Sequence, residues 1–275
     1  AATVPSPIVL DLDGNGIQTL ELSNGVHFDH AADGFAELSG WVSRGDGLLA
    51  RDLDGNGTID SGRELFGSET LLASGDKAAN GFEALAELDS NGDGRIDAAD
   101  AAFSELRVWR DANVNGLTDA GELLSLPDAG VANISLSYSN SKHIDPLGNA
   151  HRQVGSFTTT DGETRTTSDV WFKSDLAYSV ATEQLEVPEH IAALPDAQGY
   201  GTVRSLQQAM VRDEALVDLV ERFVATDDAT ERKALVTQIV YRWTGVQDVH
   251  PASRTNPSWG NAIGDARRLE ALEAF

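Results

Sequence analysis

A chain of 275 residues with 41% apolar residues has room for two ordinary domains, each with a buried core. No apolar run approaches the roughly 18 residues of a membrane span, and the opening Ala1-Ala2-Thr3-Val4-Pro5-Ser6 has neither the charged start nor the apolar stretch of a signal peptide. Against 20 bases stand 44 acids, a formal net charge of −24, of which residues 1–203 carry −22; such a body repels phosphate backbones and excludes nucleic acid as a partner.

From residue 8 to about 175, short apolar runs alternate with Asp/Asn/Gly clusters. Ile8-Val9-Leu10, Trp41-Val42 and Leu48-Leu49-Ala50 predict short strands between loops. Residues 82–88 and 101–106 have helical apolar spacing, and a helix is expected over 98–110. Residues 131–138 alternate as a half-buried strand does, and 153–157 and 169–172 add two more strands. Residues 176–200, with Pro188, Pro195 and Gly199-Tyr200-Gly201, read as a connector. Beyond it the texture is helical. Leu216, Leu219, Val220 and Phe223 share one face, as do Leu235, Val236, Ile239, Val240 and Trp243; Asp228 with Glu231 forms a capping box and Gly245 a stop. Residues 251–261 are a loop before a last helix, and the chain closes on the helical spacing Leu269, Leu272, Phe275, as expected of a piece of something longer. The expected class is α+β: a short-strand and helix module built around EF-hand-like calcium loops over residues 1–195, and a small helical bundle over 196–275.

The Asp/Asn/Gly clusters carry the chemistry. Calcium takes six to eight oxygens, and a twelve-residue loop supplies them from positions 1, 3 and 5, the carbonyl of 7 and a carboxylate at 12, with glycine at 6. Asp89, Asn91, Asp93, Gly94, the Arg95 carbonyl and Asp100 meet this specification; so do Asp111, Asn113, Asn115, Gly116, the Leu117 carbonyl and Glu122. The helix expected over 98–110 would join these two loops. A third loop, Asp52, Asp54, Asn56, Gly57, Thr58 and Asp60, has Arg63 at position 12, and its carboxylate arrives one residue late as Glu64. A fourth, Asp11, Asp13, Asn15, Gly16 and Ile17, follows the first strand and lacks an evident outer ligand. Asp29, Ala31, Asp33, Gly34 reads as a decayed loop without a site, because Ala31 cannot ligate. Two to four calcium ions are expected.

Other chemistries find little support. The chain has no cysteine, hence no disulfide or thiolate site, and it lacks HExxH, GxSxG, Walker and Rossmann fingerprints. The calcium loops absorb most of the paired carboxylates that a glycosidase would need. The five tryptophans, Trp259 among them, are expected in the core or an interface rather than on a sugar platform.

Taken in order, Pro7-Ile8-Val9-Leu10-Asp11-Leu12-Asp13-Gly14-Asn15-Gly16, Phe28-Asp29-His30, Gly40-Trp41-Val42, Asp46-Gly47-Leu48-Leu49, Glu64-Leu65-Phe66-Gly67 and Leu88-Asp89-Ser90-Asn91-Gly92-Asp93-Gly94 resemble the self-processing module of large secreted RTX proteins, the FrpC type, over roughly residues 7–175. Residues 196–275, with Gly199-Tyr200-Gly201, Trp243-Thr244-Gly245 and Asp265-Ala266-Arg267-Arg268-Leu269, resemble the haemolysin-type calcium-binding-related segment of the same proteins. The resemblance implies a module that folds on calcium outside the cell, type I secretion, a toxin or adhesin as parent and the parent's other domains as partners. It also implies cleavage of an Asp-Pro bond at the module's N-terminal edge. There the Asp carboxylate attacks its own main-chain carbonyl, proline leaves as an amine, and a lysine of an acceptor protein captures the cyclic anhydride as an isopeptide. Ser6 and Pro7 occupy that scissile position. Serine cannot form the anhydride and would need an N-to-O acyl shift through a strained ring, so a non-catalytic calcium module is expected. Asp145-Pro146, the one Asp-Pro bond in the sequence, lies inside the module and is expected to be a loop turn.

Overall fold

A computed structural model of the chain describes residues 2–255 and 264–275; Trp259 and part of the loop read over 251–261 lie outside the described residues. The chain divides into two compact units, Ala1–Leu176 and Ala177–Phe275. Both are built from the local patterns of the sequence, the first mostly of antiparallel strands and the second mostly of helices.

In the first unit the largest sheet runs, edge to edge, through Leu123–Ser125, Leu106–Trp109, Gly47–Arg51, Ile8–Leu10, Thr164–Trp171, Ala150–Thr159, Val131–Ser135 and Arg95–Ile96, with Ser139–Ile144 also on Ala150–Thr159. Its pairings are antiparallel. Successive residues of a strand point to opposite faces, and here each face has its own core. Ile8, Leu10, Leu49 and Val108 pack in one cluster with Phe82, Leu85 and Phe157. Val9, Leu48, Ala50 and Trp109 pack in the other with Trp41, Phe28 and Phe172. Burial on both sides explains why these strands read as continuous apolar runs rather than as an alternation. Two smaller sheets complete the unit: one pairs Thr19–Leu20 with Trp41–Val42, and the other contains Ala2–Thr3, Val26–Phe28, Phe35–Ser39 and Lys173–Ala181.

One helix forms where the spacing predicts it, over Gly81–Ala86, with Asn80 accepting the Glu83 amide at 3.0 Å as an N-cap. The helix expected over 98–110 does not form. Phe103–Glu105 makes a single 3₁₀ turn, and Leu106–Trp109 is a strand between two partners. The period-two pair Leu106 and Val108 faces one core and Trp109 the other, so sheet pairing and β-rich composition override the apolar spacing of the preceding residues. The loops beginning at Asp89 and Asp111 are therefore joined by a turn and a strand. A helix precedes the first of them, and strands flank the second, Leu106–Trp109 and Leu123–Ser125.

In the second unit, the helices Glu189–Ala192, Leu206–Met210, Glu214–Ala225 and Ala229–Trp243 contribute Ile191, Met210, Leu216, Val220 and Ile239 to one apolar cluster. Asp228 caps its helix by accepting the Thr230 and Glu231 amides, and Gly245 ends it with φ +74°. Arg242 holds Asp213, the N-cap of the preceding helix, at 2.6 and 2.8 Å.

Candidate functional site: acidic loops and the Ser6–Pro7 junction

Five loops of the first unit share one backbone plan. Each opens on an aspartate: Asp11, Asp29, Asp52, Asp89 or Asp111. Each aspartate accepts the amide of the glycine five residues on, Gly16, Gly34, Gly57, Gly94 or Gly116, at 2.8–3.1 Å. That glycine is left-handed in every case, with φ between +72° and +88°. The residue at position 4 is left-handed too: Gly14, Gly55 and Gly92 in three loops, Ala32 and Val114 in the others. Among the described residues Ala32 and Val114 are the two non-glycine residues with positive φ. A side chain held there costs about 1–3 kcal/mol and persists only where surrounding contacts impose it. Val114 receives such a contact by packing against the Trp41 and Trp109 cluster.

A second carboxylate closes four of the loops by accepting the amide at position 2. Glu64 accepts Leu53 N–H at 3.1 Å, Asp100 accepts Ser90 at 2.8 Å, Glu122 accepts Ala112 at 2.9 Å and Glu37 accepts His30 at 3.0 Å. Glu64, Asp100 and Glu122 also take the position-9 amide, of Asp60, Asp97 and Asp119 respectively. Glu64 thus joins its loop one residue late, and carboxylate oxygens of Asp52, Asp54 and Glu64 lie within 4.8 Å of one another. The same holds for Asp29, Asp33 and Glu37, in the loop read as decayed, and for Asp11, Asp13 and Asp46. Among the described residues the Asp89 and Asp111 loops bring no such trio together.

Within the loops, Asn15 reaches Asp13, Asn56 reaches Asp54 and Asp60, and Asn91 accepts the Asp93 amide. Asn113 and Asn115 both donate to Asp119, at 2.7 and 2.9 Å. Ile17, Thr58, Arg95 and Leu117, the position-7 residues, each follow the left-handed glycine directly. Asp97 and Asp119 stand at position 9, which belongs to the loop specification, yet lie outside the ligand set expected from the sequence. The Asp29 loop, expected to be without a site because of Ala31, is closed by Glu37, and Asp46 comes from a separate turn that carries no local signal.

The loops are stitched to one another and to the core. The Thr118 hydroxyl accepts the Ile59 amide at 2.9 Å, so position 8 of the Asp111 loop meets position 8 of the Asp52 loop. Asp111 is fully buried and takes Trp41 Nε1–H at 2.9 Å beside the amides of Asn115 and Gly116. A Cβ on Gly62 would lie 2.0 Å from the His30 carbonyl oxygen, so glycine is required where the Asp52 loop passes the Asp29 loop.

Electrostatics register the crowding. Burial pushes Glu37 up to about 7 and Asp46 up to about 6, and neighbouring carboxylates add to each: Asp33 and Asp29 for Glu37, Asp13 and Asp11 for Asp46. Asp29 and Glu64 are raised as well, first by burial. His30, wholly buried against Phe28 and Trp41, is pushed down to about 3 and is neutral at pH 7. The donor set of the loops is all oxygen, which suits a hard divalent cation.

The Ser6–Pro7 junction is buried and pinned. Ser68 N–H donates to the Ser6 carbonyl at 3.2 Å, while Ser6 N–H donates to Ser68 Oγ at 3.2 Å. The Pro7 carbonyl accepts Val170 N–H at 2.9 Å. A Cβ on Gly67 would sit 1.4 Å from the Ser6 carbonyl oxygen, so only glycine admits this approach. Asp169 stands beside Ser6 and accepts the Gly81 amide at 2.8 Å. Burial raises Asp169 to about 6, and the Ser6 hydroxyl draws it in the opposite direction. Neither Ser6 Oγ nor Asp169 Oδ1 completes a hydrogen bond of ordinary geometry. Asp145-Pro146, by contrast, forms the turn between Ser139–Ile144 and Ala150–Thr159, with Asp145 accepting the amides of Leu147 and Asn149.

Residues 8–173 match the SPM domain. The iron-regulated protein FrpA of Neisseria meningitidis serogroup C is 39% identical over 259 residues, which are 94% of this chain and 22% of that protein. The chain therefore spans about a fifth of the length of this relative.

Asp111 and Asp89 occupy the same loop position, but Asp89 is half-buried and Asp111 holds an indole besides its amides. At one fixed calcium concentration, Asp111→Ala is expected to lower unfolding stability by about 3 kcal/mol or more, through stranded buried donors. Asp89→Ala is expected to lower it by about 1 kcal/mol less or better. Urea unfolding of the two full-length variants checks the order.

Proposed function

The chain belongs to the SPM domain family, and from that premise we propose that it is a calcium-binding module of a larger, secreted RTX-type protein, folding as it takes up ions outside the cell. The observation that carries this is the recurrence of one loop plan five times, with oxygen donors only and, in four of the five, a closing carboxylate that reaches back to position 2. Such loops gather negative charge, and among the described residues the cation paired with their carboxylates is Arg95, at Asp93 and Asp97 of the Asp89 loop. In a low-calcium cytosol the repulsion opposes folding. Extracellular-type sites, with dissociation constants on the order of 10⁻⁴ to 10⁻³ M, fill outside. Four helices of the second unit, which share one apolar cluster, are read as a small bundle that accompanies the module. The parent's other domains are its proposed partners, and type I export its proposed route.

Each ion that binds the folded state alone stabilises it by about 2.7 kcal/mol at a hundred times its dissociation constant. Thermal melting of the full chain in excess calcium is therefore expected to show a transition well above that in excess chelator. An unchanged transition overturns the proposal.

A second reading is supported by the junction at residue 6. In the related chemistry the electrophile is the carbonyl of that residue. Here that carbonyl accepts a fixed backbone donor, Ser68 N–H, of the kind that stabilises a developing oxyanion. With aspartate at position 6, a carboxylate oxygen would bond to the carbonyl carbon as the bond to the Pro7 nitrogen breaks. Pro7 would leave with a proton, and a lysine amine or water would open the anhydride. Ser6 lacks that carboxylate, so the chain as it stands is proposed to be inactive. Ser6→Asp with calcium is expected to release the N-terminal peptide or to attach it to a lysine-bearing acceptor, read by mass spectrometry. An uncut, uncrosslinked variant leaves the module purely structural.

A further inference from the structure

The loop beginning at Asp11 has no closing carboxylate of its own. Position 12 is Leu22, Glu21 precedes the 3₁₀ turn Leu22–Asn24 and its carboxylate accepts Asn24 Nδ2–H, and no acid takes the amide of Leu12 among the hydrogen bonds of the described residues. What meets the loop is the turn over residues 43–47, thirty or so positions on. There the backbone of Gly45 is seated so closely that a Cβ would lie 2.4 Å from Asp13 Oδ2. The next residue, Asp46, is 1% exposed. Its Oδ2 is committed, accepting Gln18 N–H at 2.8 Å and the Ser43 hydroxyl at 3.3 Å. Its Oδ1 is buried with no hydrogen-bond partner.

Orphaned buried carboxylate oxygens are rare because each forfeits its hydration without return. This one belongs to a carboxylate that shares a cluster with Asp11 and Asp13, one oxygen of each lying within 4.8 Å of the others. The spacing is informative. Calcium binds oxygens at about 2.3–2.6 Å, so two ligands on opposite sides of one ion stand about 4.8 Å apart. Three carboxylates inside that limit fit around a single ion. None of the ion pairs among the described residues engages them.

We propose that Asp46 is the outer ligand of the Asp11 loop, completing a divalent-cation site from a turn remote in sequence. The site comprises Asp11, Asp13 and Asp46, with Asn15 and the Ile17 carbonyl on the same loop. The ion would tie the end of strand Ile8–Leu10 to the start of strand Gly47–Arg51, which are neighbours in the sheet. The inference rests on the calcium reading above and assigns to it a ligand that the twelve-residue pattern does not contain.

The test is calorimetric titration of calcium chloride into the chelator-stripped full chain. Asp46→Asn keeps the shape of the side chain and an oxygen for Gln18, and Asp13→Asn changes an exposed position that leaves the core untouched. Each is expected to bind one ion fewer than the parent chain. The double variant Asp13→Asn/Asp46→Asn is expected to lose the same single ion and no more. If Asp46→Asn binds as many ions as the parent with unchanged affinity, or if the double variant loses two, Asp46 is not a ligand of this loop. Should Asp46→Asn fail to fold, Asp13→Asn together with Ser43→Ala/Gly45→Ala, which displaces the turn, carries the same comparison. A parent chain that takes up no calcium overturns the calcium reading and this site with it. A parent that binds calcium beside an unaffected Asp46→Asn overturns this site alone.

Discussion

Carboxylates crowded into preshaped loops are the constraint on which the first unit depends. In each loop an aspartate gathers amides from a backbone bent twice into the left-handed region. The arrangement satisfies the amides and, at the Asp11, Asp29 and Asp52 loops, brings three carboxylates within 4.8 Å of one another. Solvent relieves little of the repulsion at Glu37 and Asp46, where burial and like charges both favour the protonated acid. A cation removes both penalties at once, which is the physical basis for reading the loops as a calcium-operated lock.

The sheet converts local loops into a global fold. Strands Ile8–Leu10, Gly47–Arg51 and Leu106–Trp109 are buried on both faces, and each runs directly into one of the acidic loops. Loop and strand cannot be ordered independently. Asp111 shows the coupling at one residue: it begins a loop, yet it holds the indole of Trp41 in the aromatic cluster beneath. The Ser6–Pro7 junction is assembled on the same frame, between Gly67-Ser68 and Asp169, and its geometry is inherited from strands that the loops terminate.

The loops and central strands were legible in the sequence because their signals are local. Asp-x-Asp/Asn-x-Asn/Asp-Gly spacing names the residues that turn together, and a three-residue apolar run just before such a loop has room only for a strand. The helix over 98–110 was misread because Leu106-Arg107-Val108-Trp109 fits either period, and the decision lay with partners more than fifty residues away in Gly47–Arg51. Asp46 was invisible for a similar reason. Its role depends on a turn arriving against Asp13, which no spacing within one loop encodes. The Asp29 loop was discounted on a single alanine, although the backbone plan survives Ala31 and even a left-handed Ala32, and Glu37 closes it.

If cation neutralisation in the loops holds the sheet together, the loop amides and the sheet amides must gain and lose protection as one. Hydrogen exchange resolved by residue, in calcium and in chelator, tests this most directly. In calcium, slow exchange is expected at Gly16, Gly57, Gly94 and Gly116 and at Leu49 and Val108. In chelator all six are expected to lose protection together, while Val220 and Ile239 in the second unit keep theirs. Protection at Leu49 and Val108 that is unchanged by removing calcium would contradict the claim.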